Sequence, residues 1–415
     1  MNFDLKSSEE RPSFWRRRIP TWLGVFVVLL MAFGAVWVMA IKEARVFRQI
    51  DAQRYDQIKI VRKEKAPEII GKPKWHFVPG PISMEAVKNK GCVTDGFLSN
   101  YGDRPKEIAK MIDRSECVYL HRALETWLRP PKFEEAEEIM QLVTKQSVVY
   151  GMFLAEAIST YRDYEDPNWD RKFDFKKMCR AGTQDRWEDK SCVPSVESPE
   201  YRRYLNSITQ RAMDIGIQSF MFGQAELQDP HPNFQETEIR KILNDMRVYA
   251  ESKGMQIIIG AQTNSITDEK YLRLFDYIEG GVGIDDAGRV ENGPCSSKFG
   301  SCWGLLWNTR YKSKANNVLV HLDWSGLTWD DMGIFARMPQ ERRIATLKNL
   351  YQKFTGENVG FLMPFLATLN RENDGCYGPN KNFYAPSDKY KCKDEAAINR
   401  IMRETLASDK QKTFQ

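Results

Sequence analysis

The chain is poor in histidine, with four in 415 residues: His76, His121, His231 and His321. No two stand at the spacing of an H-E-x-x-H helix, so no ready-made zinc-hydrolase motif exists, and a metal-dependent polysaccharide deacetylase is not expected. No D-x-D-x-D-G run marks a calcium loop. The G-x-S-x-G elbow of a serine hydrolase is missing. No G-x-G-x-x-G follows a strand-like run and no phosphate loop appears, which argues against a nucleotide fold. Charge of one sign is also scarce: 61 Lys and Arg against 56 Asp and Glu give a net +5. Without a long basic stripe carrying aromatics, nucleic acid is not an expected partner. There is no CxxC pair, no solenoid repeat and no low-complexity tract. Neither a metal nor a cofactor is expected.

One long hydrophobic run is present. Residues 19–41, "IPTWLGVFVVLLMAFGAVWVMAI", carry no charge and suffice to span a bilayer. Arg16, Arg17 and Arg18 precede the run, with Trp15 and Trp22 at the expected interface. "IKEARVFRQ" follows, which is unlike a small-x-small cleavage site, so an uncleaved membrane anchor is expected. Lys42, Arg45, Arg48 and Arg54 nearly balance the basic residues across the span, so charge does not orient it. Cysteine does. Cys92, Cys117, Cys179, Cys192, Cys295, Cys302, Cys376 and Cys392 all follow the span. An even set without CxxC fits disulfides in an oxidising compartment. Sequence neighbours can pair, although eight cysteines allow about a hundred connectivities. The expected plan is a cytoplasmic tail at 1–18, a transmembrane helix at 19–41, a stalk at 42–89 and an extracytoplasmic domain at 90–415.

From residue 90 a rhythm sets in. Strand-like runs such as "SVVYGMFLAEA", "IQSFMFGQAE", "MQIIIGAQTNS", "IEGGVGID", "NVLVHLDWSG" and "VGFLMPFLATLN" alternate with helical spacings. Ser198 and Pro199 read as N-cap and N1 of a helix closed by Gly216. "RPKEIAKMIDRSECVYLHRALETWL" reads as helical throughout, which packs His121 on a helix. Seven strands alternating with helices predict an α/β fold, a (β/α)8 TIM-type barrel with one irregular strand; an open doubly wound sheet is the alternative.

In such a barrel, working residues collect at the C-terminal strand ends. Here those ends carry Glu156, Gln224 and Glu226, Gln262 and Asn264, Asp285, and His321 and Asp323. Alternation along a strand puts Gln224 with Glu226, and His321 with Asp323, on one polar face that points into the mouth. Facing carboxylates are what glycoside hydrolysis needs, one to protonate the leaving oxygen and one to attack or to activate water. Trp303, Trp307, Trp324 and Trp329 are candidates to stack on sugar faces.

Over residues 90–372 this pattern resembles the TIM-barrel glycoside hydrolases and their membrane-anchored bacterial relatives. The resemblance implies Glu226 as acid/base, Asp323 or Glu156 as the second carboxylate, and a polysaccharide or glycan as partner. The large retaining clan of this fold usually has Asn before that Glu; here Gln224 and Ala225 precede Glu226. A glycan-binding or structural envelope protein on the same scaffold is the alternative. The pairs Asp285–Asp286 and Asp330–Asp331 read as turn or N-cap acids.

Overall fold

The computed structural model describes residues 79–412, apart from 168–170, 231–237, 264, 265, 267 and 291–313. The expected membrane span, Asn264, Trp303, Trp307, Cys295 and Cys302 therefore lie outside the described residues. Among the described residues no helix is long and apolar enough to cross a membrane.

Short, fully buried strands dominate: β1 (Gly91–Thr94), β2 (Tyr119–Leu124), β3 (Val149–Leu154), β4 (Ser219–Phe222), β5 (Ile258–Ala261), β6 (Tyr277–Gly281) and β7 (Val318–His321). Runs such as "VYGMFL" and "SFMF" are apolar on both faces, as a parallel sheet covered by helices requires. Each strand pairs in parallel with the next. The eighth stave is broken at Leu362 into β8 (Val359–Phe361) and β9 (Met363–Thr368). β8 pairs with β7, and β9 pairs in parallel with β1, so the sheet curls back on itself. The architecture resembles an eight-stranded α/β barrel.

The strand hidden from the sequence reading is β2. "YLHRAL" lies inside a run with helical spacing, yet it pairs with both β1 and β3. Arg122 adopts φ +54° and the register with β3 shifts there, so the two-residue alternation is broken. His121 is thus a strand residue, not a helix residue.

Helices cover the outside. The expected Ser198 cap holds: its Oγ accepts from Tyr201 N at 3.3 Å, Pro199 opens the helix Pro199–Asp214, and Gly216 follows its end at φ +97°. The helix Glu238–Ser252 buries Ile239, Ile242, Leu243, Met246 and Ala250, a stripe at helical spacing. Truncating Leu243 to Ala would cost about 2–5 kcal/mol. The packed body starts before residue 90, since Gln218 Nε2 donates to Gly80 O at 2.9 Å and Tyr351 Oη donates to Asn89 O.

Among the described residues three disulfides are present: Cys92–Cys117, Cys179–Cys192 and Cys376–Cys392. Each joins neighbours in the cysteine order, and the last closes a loop over residues 376–392. The second lies in the long excursion between β3 and β4, which also carries two short antiparallel ribbons.

Candidate functional site at the barrel mouth

The barrel interior is polar in two layers. In the lower, Tyr119 Oη lies 3.0 Å from Ser219 Oγ and 3.1 Å from Tyr277 Oη. Gly260 makes room for this layer, because a Cβ there would stand 2.1 Å from the Tyr277 ring. One rung higher are His121 from β2, Glu279 from β6 and His321 from β7, all fully buried. Glu279 Oε2 lies 2.6 Å from His121 Nε2 and 3.4 Å from His321 Nε2. Burial alone would raise the Glu279 pKa, but the two imidazoles outweigh it and hold the carboxyl well below the usual range. Burial pushes His121 down, whereas at His321 the Glu279 charge overcomes burial and pushes the ring up.

A chain of polar contacts runs from this cluster across the mouth. Gln262 Nε2 donates to Glu279 Oε1 at 2.9 Å. Gln262 Oε1 accepts from Gln224 N at 3.4 Å, and Gln224 Nε2 donates to Glu156 Oε1 at 2.5 Å. Glu156, Gln224, Gln262 and His321, singled out in the sequence, are therefore brought together, with Glu279 as the hub the strand-end reading passed over. Glu279 sits in mid-strand, in "YIEGG"; the available signal was an acid inside an otherwise buried run, which must have a partner.

Glu226 lies elsewhere than expected. β4 stops at Phe222, Gln224 takes φ 10° and ψ 70°, and Glu226 falls on a single helical turn, Ala225–Gln228. Alternation ends with the strand, so Gln224 and Glu226 do not share a strand face. Glu226 is half-buried on the Tyr271 side, where burial and Asp229 raise the Tyr271 pKa and the Glu226 charge adds to them. β7 likewise ends at His321, so the shared face expected for His321 and Asp323 does not arise by alternation.

Asp323 is half-buried beside Asp330 and Asp331. The protein mass around its carboxyl and those two acids push its pKa up to about 7, against the pull of His321. Asp330 caps the helix Asp331–Arg337 through Gly333 N at 2.6 Å, and Asp331 accepts from Gly283, Ile284 and Asp323 backbone N–H groups at 2.9–3.0 Å. Both are the structural acids the sequence suggested. Asp285 is another, since it accepts from Ala287 N and Arg289 N in its own turn.

Trp324 is buried over the cluster, its ring centroid 4.6 Å from that of His321 and 6.5 Å from that of His121. The Arg122 guanidinium lies 4.8 Å from the Trp324 ring centroid and 3.7 Å from that of Phe153. A second aromatic pair, Trp127 and Trp187, has centroids 5.4 Å apart and joins the loop after β2 to the β3–β4 excursion. Neither was singled out in the sequence, where nothing places them together.

No family model and no curated protein matches this chain. Among solved structures, it is similar to a debranching enzyme from Nostoc punctiforme at 10% identity and TM-score 0.42, covering 82% of this chain and 76% of that one. It is also similar to a cyclic α-maltosyl-(1→6)-maltose hydrolase from Arthrobacter globiformis, in complex with maltose, at 9% identity and TM-score 0.41, covering 76% of each. A third is a GH27 β-L-arabinopyranosidase from Geobacillus stearothermophilus, at 10% identity and TM-score 0.33; the match covers 71% of this chain and 66%, just under two thirds, of that enzyme.

Proposed function

We propose that this protein is a membrane-anchored, extracytoplasmic glycoside hydrolase-like protein that takes a glycan at the barrel mouth and cleaves a glycosidic bond with paired carboxylates. The observation that carries the reading is positional. Glu156, Glu226 and Asp323 follow the C-terminal ends of three parallel strands, β3, β4 and β7, and the amides of Gln224 and Gln262 stand among them. Carboxyl groups that follow separate strands of one barrel can supply acid and nucleophile or base catalysis at an acetal. Asp323 and Glu156 are the pair we assign, with Glu226 as a flanking contact to substrate. The Trp127–Trp187 pair offers a sugar-stacking edge. The three disulfides support an oxidising compartment.

The second reading is a glycan-binding protein without turnover. It draws on Glu156, which is 3% exposed and hydrogen-bonded by Gln224. Reducing-end release from a panel of envelope polysaccharides and peptidoglycan separates the two. The wild-type chain should release reducing ends, and Asp323→Asn and Glu156→Gln should each lose about 10²–10⁴-fold. Retention on one glycan with no release by the wild type would give the binding reading instead.

A further inference from the structure

The His121–Glu279–His321 ring is fixed from outside, and its inward atoms meet only one another. His121 Nδ1 lies 2.8 Å from Tyr119 Oη. His321 Nδ1 lies 3.2 Å from Leu322 O, and Glu279 Oε1 accepts from Gln262 Nε2 at 2.9 Å. These outer contacts leave His121 Nε2, His321 Nε2 and Glu279 Oε2 facing one another. Among the described residues these fully buried atoms meet one another as ion-pair contacts, and no other group hydrogen-bonds to them. The three atoms lie within 4.8 Å of one another. A carbonyl oxygen only accepts, so His321 carries a proton on Nδ1. A neutral ring would then aim a lone pair at a carboxylate 3.4 Å away, at a fully buried site. Two facing lone pairs repel there, and either a second proton or a cation must stand between them.

We propose that this ring is a buried site for one divalent transition-metal ion of zinc's kind, held by His121 Nε2, His321 Nε2 and Glu279 Oε2. Two imidazoles and one carboxylate suit zinc and its first-row neighbours, whereas calcium and magnesium favour all-oxygen sets. The outer contacts suit ligands: the His321 ring N–H on a carbonyl, His121 Nδ1 on a hydroxyl able to accept from it, and the spare carboxylate oxygen on an amide. The 3.4 Å between Glu279 Oε2 and His321 Nε2 matches two ligands of one tetrahedral ion with bonds of about 2.0–2.1 Å. The 2.6 Å contact to His121 is shorter than that and opens by about 0.7 Å as the ion enters. The ion would tie β2, β6 and β7 together beneath Trp324, as a strut that needs none of the mouth carboxylates.

The test uses the full chain, stripped with a chelator, incubated with zinc chloride, desalted and analysed for zinc by mass spectrometry. About one zinc per chain should be retained by the wild type and lost in His321→Gln and in Glu279→Gln. Equal retention in wild type and variants overturns the site, as does no retention at all, which would leave a proton between the rings. Substitutions here endanger the fold, so zinc X-ray absorption on the loaded wild type gives an independent reading. Two imidazole ligands at about 2.0–2.1 Å are expected; a shell of oxygen alone overturns the proposal.

Discussion

The two polar layers of the barrel interior are one rung apart and equally buried, yet they solve burial differently. The lower layer is three hydroxyls, from Tyr119, Ser219 and Tyr277, with mutual contacts of 3.0–3.3 Å. Each hydroxyl both donates and accepts and rotates to suit, so the ring closes on itself. The upper layer has two planar rings and a carboxylate whose atoms are fixed by outer contacts. It cannot rotate into closure, and its three inward atoms meet only one another. A buried polar cluster that completes itself is part of the core; one that is completed only by something added is a site. Tyr119 belongs to both, since its hydroxyl also meets His121 Nδ1.

The contrast breaks most visibly at Glu279. In chelator-treated protein, Glu279→Ala should cost about 3–5 kcal/mol in urea unfolding, because it removes one partner of a buried charge cluster. A cost below about 1 kcal/mol would mean that the upper ring carries no charge. The lower ring should yield less. Tyr119→Phe should cost about 1–3 kcal/mol, and more than Tyr277→Phe, because the Tyr119 hydroxyl serves three partners. The reverse order would place the hub at Tyr277.

The smallest effect belongs outside the barrel, at Glu200 in the first turn of the helix Pro199–Asp214. Burial would raise its pKa, but Arg171, the Asp174 N–H and Arg203 hold it at about 2, below its ordinary 4.5. A depressed carboxyl adds stability that is complete above about pH 4.5 and fades as pH falls through about 2. Glu200→Gln should therefore cost about 1 kcal/mol at neutral pH. The gap between its unfolding midpoint and that of the wild type should close on acidification. A gap that is constant from neutral pH to pH near 2 would show that packing, not charge, sets the loss.

Much of this was legible beforehand. The alternation of strand and helix, the Ser198 cap and the acids at Asp330 and Asp331 follow from local rules that tertiary contacts do not override. β2 was not legible, because its bulge at Arg122 destroys the period and the preceding helix, Pro105–Asp113, supplies a helical one. The upper ring was hidden for a different reason. His121 and His321 are far apart in sequence, and only closure of the barrel brings them together across Glu279. The strand-tip rule reached His321 alone, because His121 and Glu279 lie inside their strands. Glu226 was displaced because the strand ends at Phe222 and a helical turn begins at Ala225, so no alternation reaches Glu226.

The three disulfides also bear on how the chain is made. Their partners are 25, 13 and 16 residues apart, and each is the next cysteine along. A chain emerging from its N-terminus presents Cys117 to Cys92, Cys192 to Cys179 and Cys392 to Cys376 before any later thiol competes. Short loops also close at small entropic cost. Vectorial synthesis alone thus steers oxidation towards these pairs, with little shuffling left to do once the barrel closes.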